Sequence, residues 1–190
     1  MNTRTPIQHS TIGRMVKGFL HTKLGAFVGY HLGISGYNRI DAVITRANGG
    51  TEMKRSYNSR TDAGAALCAS LISGSTLGGI SSPAAPKYLA VSSATLTPAH
   101  GDTTLTSELS TNGFTRAAAT AGSYSAPASL DAAASFTFTH TFTASGTQTV
   151  ASAALFDAAS TGNLYVEGNF ASSSTLNSGD TLSVTWTINL

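Results

Sequence analysis

Two stretches of strict alternation decide the fold of this chain. Residues 136–143 read FTFTHTFT, and residues 182–188 read LSVTWTI. Successive side chains of a β-strand point to opposite faces, so each stretch predicts a strand with one apolar face and one hydroxyl-bearing face. We expect the apolar faces to build the core, through Phe136, Phe138, Phe142, Leu182, Val184, Trp186 and Ile188.

Further short strands surround these two. Residues 88–91 (YLAV) are short and apolar, and residues 154–156 (ALF) and 164–166 (LYV) flank a turn that contains Asp157, Gly162 and Asn163. Short strands with a turn signal every ten residues or so are typical of sandwiches. The sequence therefore predicts an all-β protein, an antiparallel β-sandwich of the jelly-roll or Ig-like kind, with one short helix and an extended N-terminal arm.

The helix is predicted just before the sandwich. Thr61 and Asp62 can cap a helix that runs through Leu67 and Leu71 and ends at Gly74. A Ser/Gly/Pro linker follows. The predicted organisation is an extended, basic, Gly-rich arm over 1–60, in which residues 40–44 are strand-like, then the helix and linker over 61–86, and the sandwich over 87–190.

Composition restricts the class of protein. Charged residues make up only 11% of the 190 residues, and Ala, Gly, Ser and Thr together make up just over half. Ser and Thr are weak helix formers, so a helical bundle is disfavoured. The single cysteine, Cys68, excludes an intrachain disulfide and a Cys-based zinc site. Cations interrupt the first 23 residues, so no signal peptide is expected.

Charge divides the chain into two unequal parts. Nine of the eleven Lys and Arg residues lie within residues 1–62, whereas residues 63–190 carry net negative charge. The uncharged run 24–38 is shorter than the roughly 20 residues of a membrane-spanning helix, so no membrane contact is expected. Lys54, Arg55 and Arg60 could touch nucleic acid, but the apolar content of the arm favours docking on protein. The predicted subunit interface consists of Arg14, Lys17, Phe19, Leu20, Leu24, Phe27, Val28 and Tyr30.

No catalytic or metal-binding pattern is recognisable. His140 lies on the Phe face of its strand, where a hydrogen-bonded core or edge histidine is the usual outcome, and Cys68 has no basic neighbour within one helical turn. His100-Gly101-Asp102 could orient a nucleophile, but the chain contains no Gly-x-Ser-x-Gly elbow to supply one. The acids occur singly, mostly at turns. We therefore expect no enzyme activity, no cofactor and no metal.

Motifs in their order along the chain resemble a pattern in small structural proteins of tailed bacteriophages. The resemblance is good over residues 88–190 and weaker over 58–72. It rests on YLAVSS (88–93), TP (97–98), DTTL (102–105), SEL (107–109), Arg116, ALFD (154–157), GNLY (162–165), Phe170 and NSGDTLSVTWTI (177–188), and more weakly on Asn58, Thr61-Asp62-Ala63-Gly64 and Leu67.

The resemblance implies a virion component that contacts other copies of itself and the major capsid protein or another virion protein. We expect a homo-oligomer in the particle. A capsid decoration or cement protein, anchored by its arm, is the first hypothesis, because the chain is short and lacks long-fibre repeats. A tail, neck or fibre-base component is the second. A carbohydrate-binding or adhesive sandwich is the third, and would use Phe114, Tyr124 or Tyr165.

Overall fold

A computed structural model describes residues 37–73, 84–126 and 134–189 of the chain. All strand pairs are antiparallel, and they form one five-stranded and one four-stranded sheet. The predicted all-β sandwich with one short helix is confirmed. The elements are β1 (Tyr37–Thr45), β2 (Thr51–Ser59), α1 (Asp62–Ser73), β3 (Tyr88–Ser92), β4 (Ala117–Ala118), β5 (Thr120–Ala121), β6 (Ser135–Thr143), β7 (Gln148–Phe156), β8 (Leu164–Leu176) and β9 (Thr181–Asn189).

The first sheet has the strand order β2-β1-β9-β6-β5. The two alternating stretches of sequence are neighbours in it, since Phe138 is opposite Trp186 and Phe142 is opposite Leu182. Matching registers place the apolar side chains of both strands on one face, and the Thr and Ser side chains on the other. Thr139 and Thr185 are hydrogen-bonded on that outer face, with 2.9 Å between their hydroxyl oxygens.

The second sheet has the order β4-β3-β7-β8, and the two sheets approach each other on both sides. On one side the chain passes from β4 to β5, and so from one sheet to the other, through Ala119. On the other side β2 lies against β8, where Arg60 bridges to Val166 and Lys54 donates a hydrogen bond to Ser172.

The core lies between the sheets and centres on Trp186. Trp186, Leu182, Val184 and Ile188 have no exposed surface, and Phe138 and Phe142 are also buried. Phe136 is only partly buried and packs edge-on against Phe138, with 5.3 Å between ring centroids. Each predicted core position therefore faces the core or its margin.

The helix begins as its capping residue predicts. The Thr61 hydroxyl accepts a hydrogen bond from the Gly64 N–H at 2.9 Å and donates one to the Leu164 carbonyl oxygen at 2.5 Å. The cap thus satisfies a free helix donor and ties the helix to β8 at the same time. Leu67 is fully buried beneath the helix.

The structure differs from the predicted domain division in one respect. Residues 37–59 were expected in the arm, but they form the β1–β2 hairpin, and β1 lies inside the first sheet beside β9. Ile40 and Ile44 face the core, while Arg39 and Asp41 on the outer face interrupt the hydrophobic signal. Polar outer-face residues are normal for a half-buried strand. The many charged residues and glycines nearby concealed the strand pattern of β1 in the sequence.

Candidate functional site

A long loop covers the outer face of the second sheet. We call residues 93–116, between β3 and β4, the cover loop. Its Leu105 and Leu96 pack on a small apolar cluster separate from the main core, which contains Ala90, Ala154, Phe156 and Leu164. The loop therefore gives the sheet a second apolar layer, and it contains most of the upstream motifs of the phage resemblance.

Side-chain amides and hydroxyls fasten the first half of the cover loop to the sheet. Asn169 of β8 accepts a hydrogen bond from the Leu96 N–H at 2.7 Å and donates one to the Leu96 carbonyl oxygen at 3.0 Å. Ser152 of β7 donates to the Ala94 carbonyl oxygen at 2.8 Å. These bonds satisfy backbone N–H and C=O groups of the loop, which have no partner on a neighbouring strand because the loop is not part of a sheet.

The second half of the cover loop is held by Arg116. Its guanidinium donates two hydrogen bonds to the Glu108 carboxylate and lies over the Phe156 ring. It also donates to the carbonyl oxygens of Ala158 and Thr161 in the β7–β8 turn. The Glu-Leu pair and the arginine of the resemblance thus form a structural clamp.

A pair of carboxyl groups lies beneath the middle of the cover loop. Asp102 of the loop and Glu167 of β8 line the same cavity, and Glu167 is buried at 3% exposure. Burial, followed by the nearby Asp102, raises the pKa of Glu167 to about 8.

Two cavities flank this carboxyl pair. One, of about 270 Å³, is lined by Asn58, Arg60, Thr61, Pro98, Ala99, His100 and Glu167. The other, of about 280 Å³, is lined by Thr95, Leu96, Thr97, Asp102, Thr104, Thr106 and Glu167. Glu167 is the residue that both share. Sequence reasoning missed the pair, because Asp102 and Glu167 are far apart in the chain, and the only signal was one acid within the apolar run of β8.

His100, His140 and Cys68 each lie close to polar groups of the same chain. His100 lies 3.8 Å from the Asp62 carboxylate, and the Asp102 carboxylate is turned to accept a hydrogen bond from the Ala99 N–H. Nδ1 of His140 is 3.0 Å from the Ala118 carbonyl oxygen, which agrees with the prediction of a hydrogen-bonded histidine. Cys68 differs from expectation, because the fold brings the Arg60 guanidinium to 3.1 Å from its sulfur.

The cations considered for nucleic-acid contact bind groups of the same chain. Lys54 is buried and donates to Ser172 and to the Ser173 carbonyl oxygen. Arg55 pairs with Asp41, and Arg60 lies over the Tyr165 ring. Their proximity in sequence therefore does not create a common cationic surface.

The aromatic residues considered for a sugar platform are mostly buried. Phe114 has no exposed surface and Tyr165 is 2% exposed, whereas Tyr124 is 62% exposed. Phe114 packs against Phe142, and Tyr165 packs in the core beneath α1. The expectation that all three are accessible was wrong, because two of them fill the sandwich.

The turn motifs of the resemblance have a backbone role. Asp157 accepts hydrogen bonds from the Asn163 N–H and side-chain amide, both at 2.6 Å. Asp180 accepts from the N–H groups of Asn177 and Ala47 and from Arg46. The conformations of the β7–β8 and β8–β9 connections are fixed by these carboxylates.

The part of the chain that the structure describes contains neither a candidate metal site nor a helix that could span a membrane. No group of three or more His, Cys, Asp and Glu side chains there is placed to hold a metal ion. No helix in that part of the chain is long and apolar enough to cross a membrane. The predicted interface residues Arg14, Lys17, Phe19, Leu20, Leu24, Phe27, Val28 and Tyr30 lie outside the described residues.

The described part of the chain is a two-sheet sandwich whose cover loop is clamped by Arg116 and whose turns are fixed by Asp157 and Asp180. The family model of podophage GP4 fiber I protein, gp80, matches residues 63–187, about two thirds of the chain. The chain therefore belongs to this family, and it is a structural protein of the bacteriophage virion. No curated protein and no solved structure matches it.

Proposed function

We propose that the chain is a non-enzymatic structural component of the phage fibre or its base. The family match over residues 63–187 carries this proposal. The sequence analysis placed capsid decoration first and a tail, neck or fibre-base component second. The family match reverses this order, since a fibre description favours the tail apparatus over the capsid shell.

Within this proposal, the chain docks on other subunits through its N-terminal segment. Residues 1–36 contain four cations and the apolar run of the predicted interface. Burial of that apolar surface, at about 25 cal/mol per Å², would dominate the docking energy. The partners are other copies of the chain and a neighbouring virion protein.

The experiment is incorporation into particles. Phage that lack the native chain are complemented with the full-length protein, with a variant lacking residues 1–36, or with Arg14, Lys17 and Lys23 all changed to Gln. We expect the deletion to abolish incorporation and the charge variant to reduce it only mildly, because exposed ion pairs contribute about 0–1 kcal/mol each. Thermal unfolding of each variant controls for the sandwich.

Two results would contradict the docking proposal. Wild-type incorporation of the deletion variant would remove the segment as the anchor. A steep loss of incorporation with salt, matched by failure of the charge variant, would indicate electrostatic or phosphate contact.

Capsid decoration is the second candidate. The observation that favours it is that residues 1–36 contain four cations, Arg4, Arg14, Lys17 and Lys23, and no acid, which suits contact with an acidic shell. It predicts that the chain remains with tailless heads, whereas the fibre role predicts that it is lost from them. Separating heads from tails and assaying each for the chain distinguishes the two roles.

A further inference from the structure

The two cavities that meet at Glu167 differ in the charge of their walls. Arg60 and His100 line the first cavity, whereas the second is lined by two acids, Asp102 and Glu167, and by no lysine, arginine or histidine of the described residues. Its other lining residues are Thr95, Leu96, Thr97, Thr104 and Thr106. The second cavity is therefore an acidic pocket whose neutral walls are mainly hydroxyl groups.

Glu167 is a buried acid that faces this pocket. It is 3% exposed, and Ala154, which is opposite it on β7, belongs to the apolar cluster beneath the cover loop. Residues that are opposite each other on paired strands share a face, so the Glu167 side chain points toward the loop. Neither Glu167 nor Asp102 belongs to an ion pair within the described residues. Buried charges in proteins are normally paired, so a cation that enters this pocket gains two carboxyl partners.

The cover loop holds the opposite wall of the pocket in place. One carboxyl oxygen of Asp102, Oδ2, accepts a hydrogen bond from the Ala99 N–H at 2.6 Å. A carboxylate has several acceptor positions, so Asp102 can still accept from a ligand. Leu96, on the same wall, is fastened to β8 by Asn169. A wall fixed before binding lowers the entropy that a ligand must overcome.

A primary ammonium group on an aliphatic stem matches these walls. It carries three N–H donors and no acceptor, and carboxylate and hydroxyl oxygens are suitable partners for it. Its methylene stem can lie on Leu96, as lysine stems do on apolar surface. The cavity, of about 280 Å³, is much larger than the roughly 30 Å³ share of one water molecule, so the group has room.

We propose that the second cavity binds a primary alkylammonium group between Asp102 and Glu167. The group is either a lysine side chain of another virion chain or a free aliphatic amine. This inference goes beyond the structural role proposed above, and neither depends on the other.

Titration of the full chain with n-butylammonium chloride tests the site. Amide NMR shifts are followed at constant ionic strength and about pH 8.5, which lies above the pKa of Glu167 (about 8) and below that of a lysine-type amine (about 10.4). We expect saturable shifts at Thr97, Thr104 and Glu167, with a Kd of about 10 mM or below. n-Butanol has the same stem without the charge, and it should give no saturable shift.

Three variants assign the binding to the two acids. Glu167→Gln and Asp102→Asn should each weaken binding about tenfold or more, because each removes a charge-assisted hydrogen bond. Asp62→Asn is the matched control, since Asp62 is an exposed acid near His100 that lines neither cavity, and it should bind as the native chain does. Thermal unfolding verifies that each variant is folded.

The same titration distinguishes the two sources of the ammonium group. Tighter binding of Nα-acetyl-lysine-N-methylamide than of putrescine would indicate a lysine side chain, and the reverse order would indicate a free amine. Three results would overturn the site: no saturable shift with n-butylammonium, equal binding of n-butanol, or native affinity in both Glu167→Gln and Asp102→Asn. The first two results need only the native chain, so they decide the question even if a variant does not fold.

Discussion

Arg116 and Glu108 form a two-point ion pair within the cover loop. Nε donates to one carboxylate oxygen at 2.8 Å and Nη2 to the other at 2.6 Å. The same guanidinium lies 3.5 Å from the centroid of the Phe156 ring. Paired forks of this kind give geometric specificity as well as energy, so Arg116 fixes the course of the loop over the second sheet.

The first prediction concerns this clamp. Arg116→Ala should lower the free energy of unfolding by about 2–3 kcal/mol, because it leaves the partly buried Glu108 without its cation and uncovers Phe156. Arg116→Lys keeps the charge but loses the planar fork, so it should recover only part of the loss. Urea unfolding measures both, and a loss below about 0.5 kcal/mol for the Ala variant would show that the clamp is not structural.

The second prediction concerns the contact between α1 and β8. A Cβ at Gly64 would overlap the carbonyl oxygen of Tyr165, whereas a Cβ at Gly101 would meet nothing within 4 Å. Gly64→Ala should therefore lower the melting temperature markedly, and Gly101→Ala should leave it nearly unchanged. Equal melting temperatures for the two variants would contradict this close approach of helix and strand.

The third prediction concerns the core. Trp186→Ala should cost about 3–5 kcal/mol, because the side chain is fully buried between the sheets. The indole Nε1–H has no hydrogen-bond partner among the described residues, so Trp186→Phe removes an unsatisfied donor and should cost clearly less. Chemical denaturation measures the loss in free energy of unfolding for both variants. If Trp186 lay in a hydrated or polar site, the Phe variant would lose more than the Ala variant.

The fourth prediction concerns acid stability. The N–H groups of Asn177 and Ala47, and then Arg46, hold the pKa of Asp180 below its usual value of 3.8. A lowered folded-state pKa contributes stability above about pH 4 that is lost as pH falls through the folded value. Asp180→Asn should therefore lower the melting temperature at pH 7, and the difference should shrink toward pH 2. A difference independent of pH would exclude this ionisation as its cause.

The sandwich could be predicted because its decisive strands alternate cleanly. The run from Leu182 to Ile188 shows both faces in the sequence, and the capping residue of α1 was equally visible. The β1–β2 hairpin was less visible, because Arg39, Asp41 and Arg55 form an ion-pair cluster on its outer face and interrupt the apolar pattern. The place of the hairpin in the sheet is decided by the pairing of β1 with β9, which is more than a hundred residues away in the chain.

The candidate site was harder to predict than the fold, because most of its contacts join residues that are far apart in the chain. The motif residues Glu108, Arg116 and Asp157 were identified as part of a resemblance, but their roles as clamp and turn followed only from the structure. Asp102 and Glu167 are 65 positions apart, and nothing in the spacing of acids predicts that they line the same cavity. The approach of Arg60 to Cys68 was missed for the same reason.

The most direct test of the fibre role is a cryo-electron microscopy map of the intact virion at a resolution that traces strands. The account predicts density for the two-sheet sandwich, with its cover loop on one outer face, in the fibre or at its base. It also predicts that neighbouring subunits contact the chain through residues before Tyr37. Sandwich density on the capsid shell, with none in the tail apparatus, would contradict the fibre role and favour decoration.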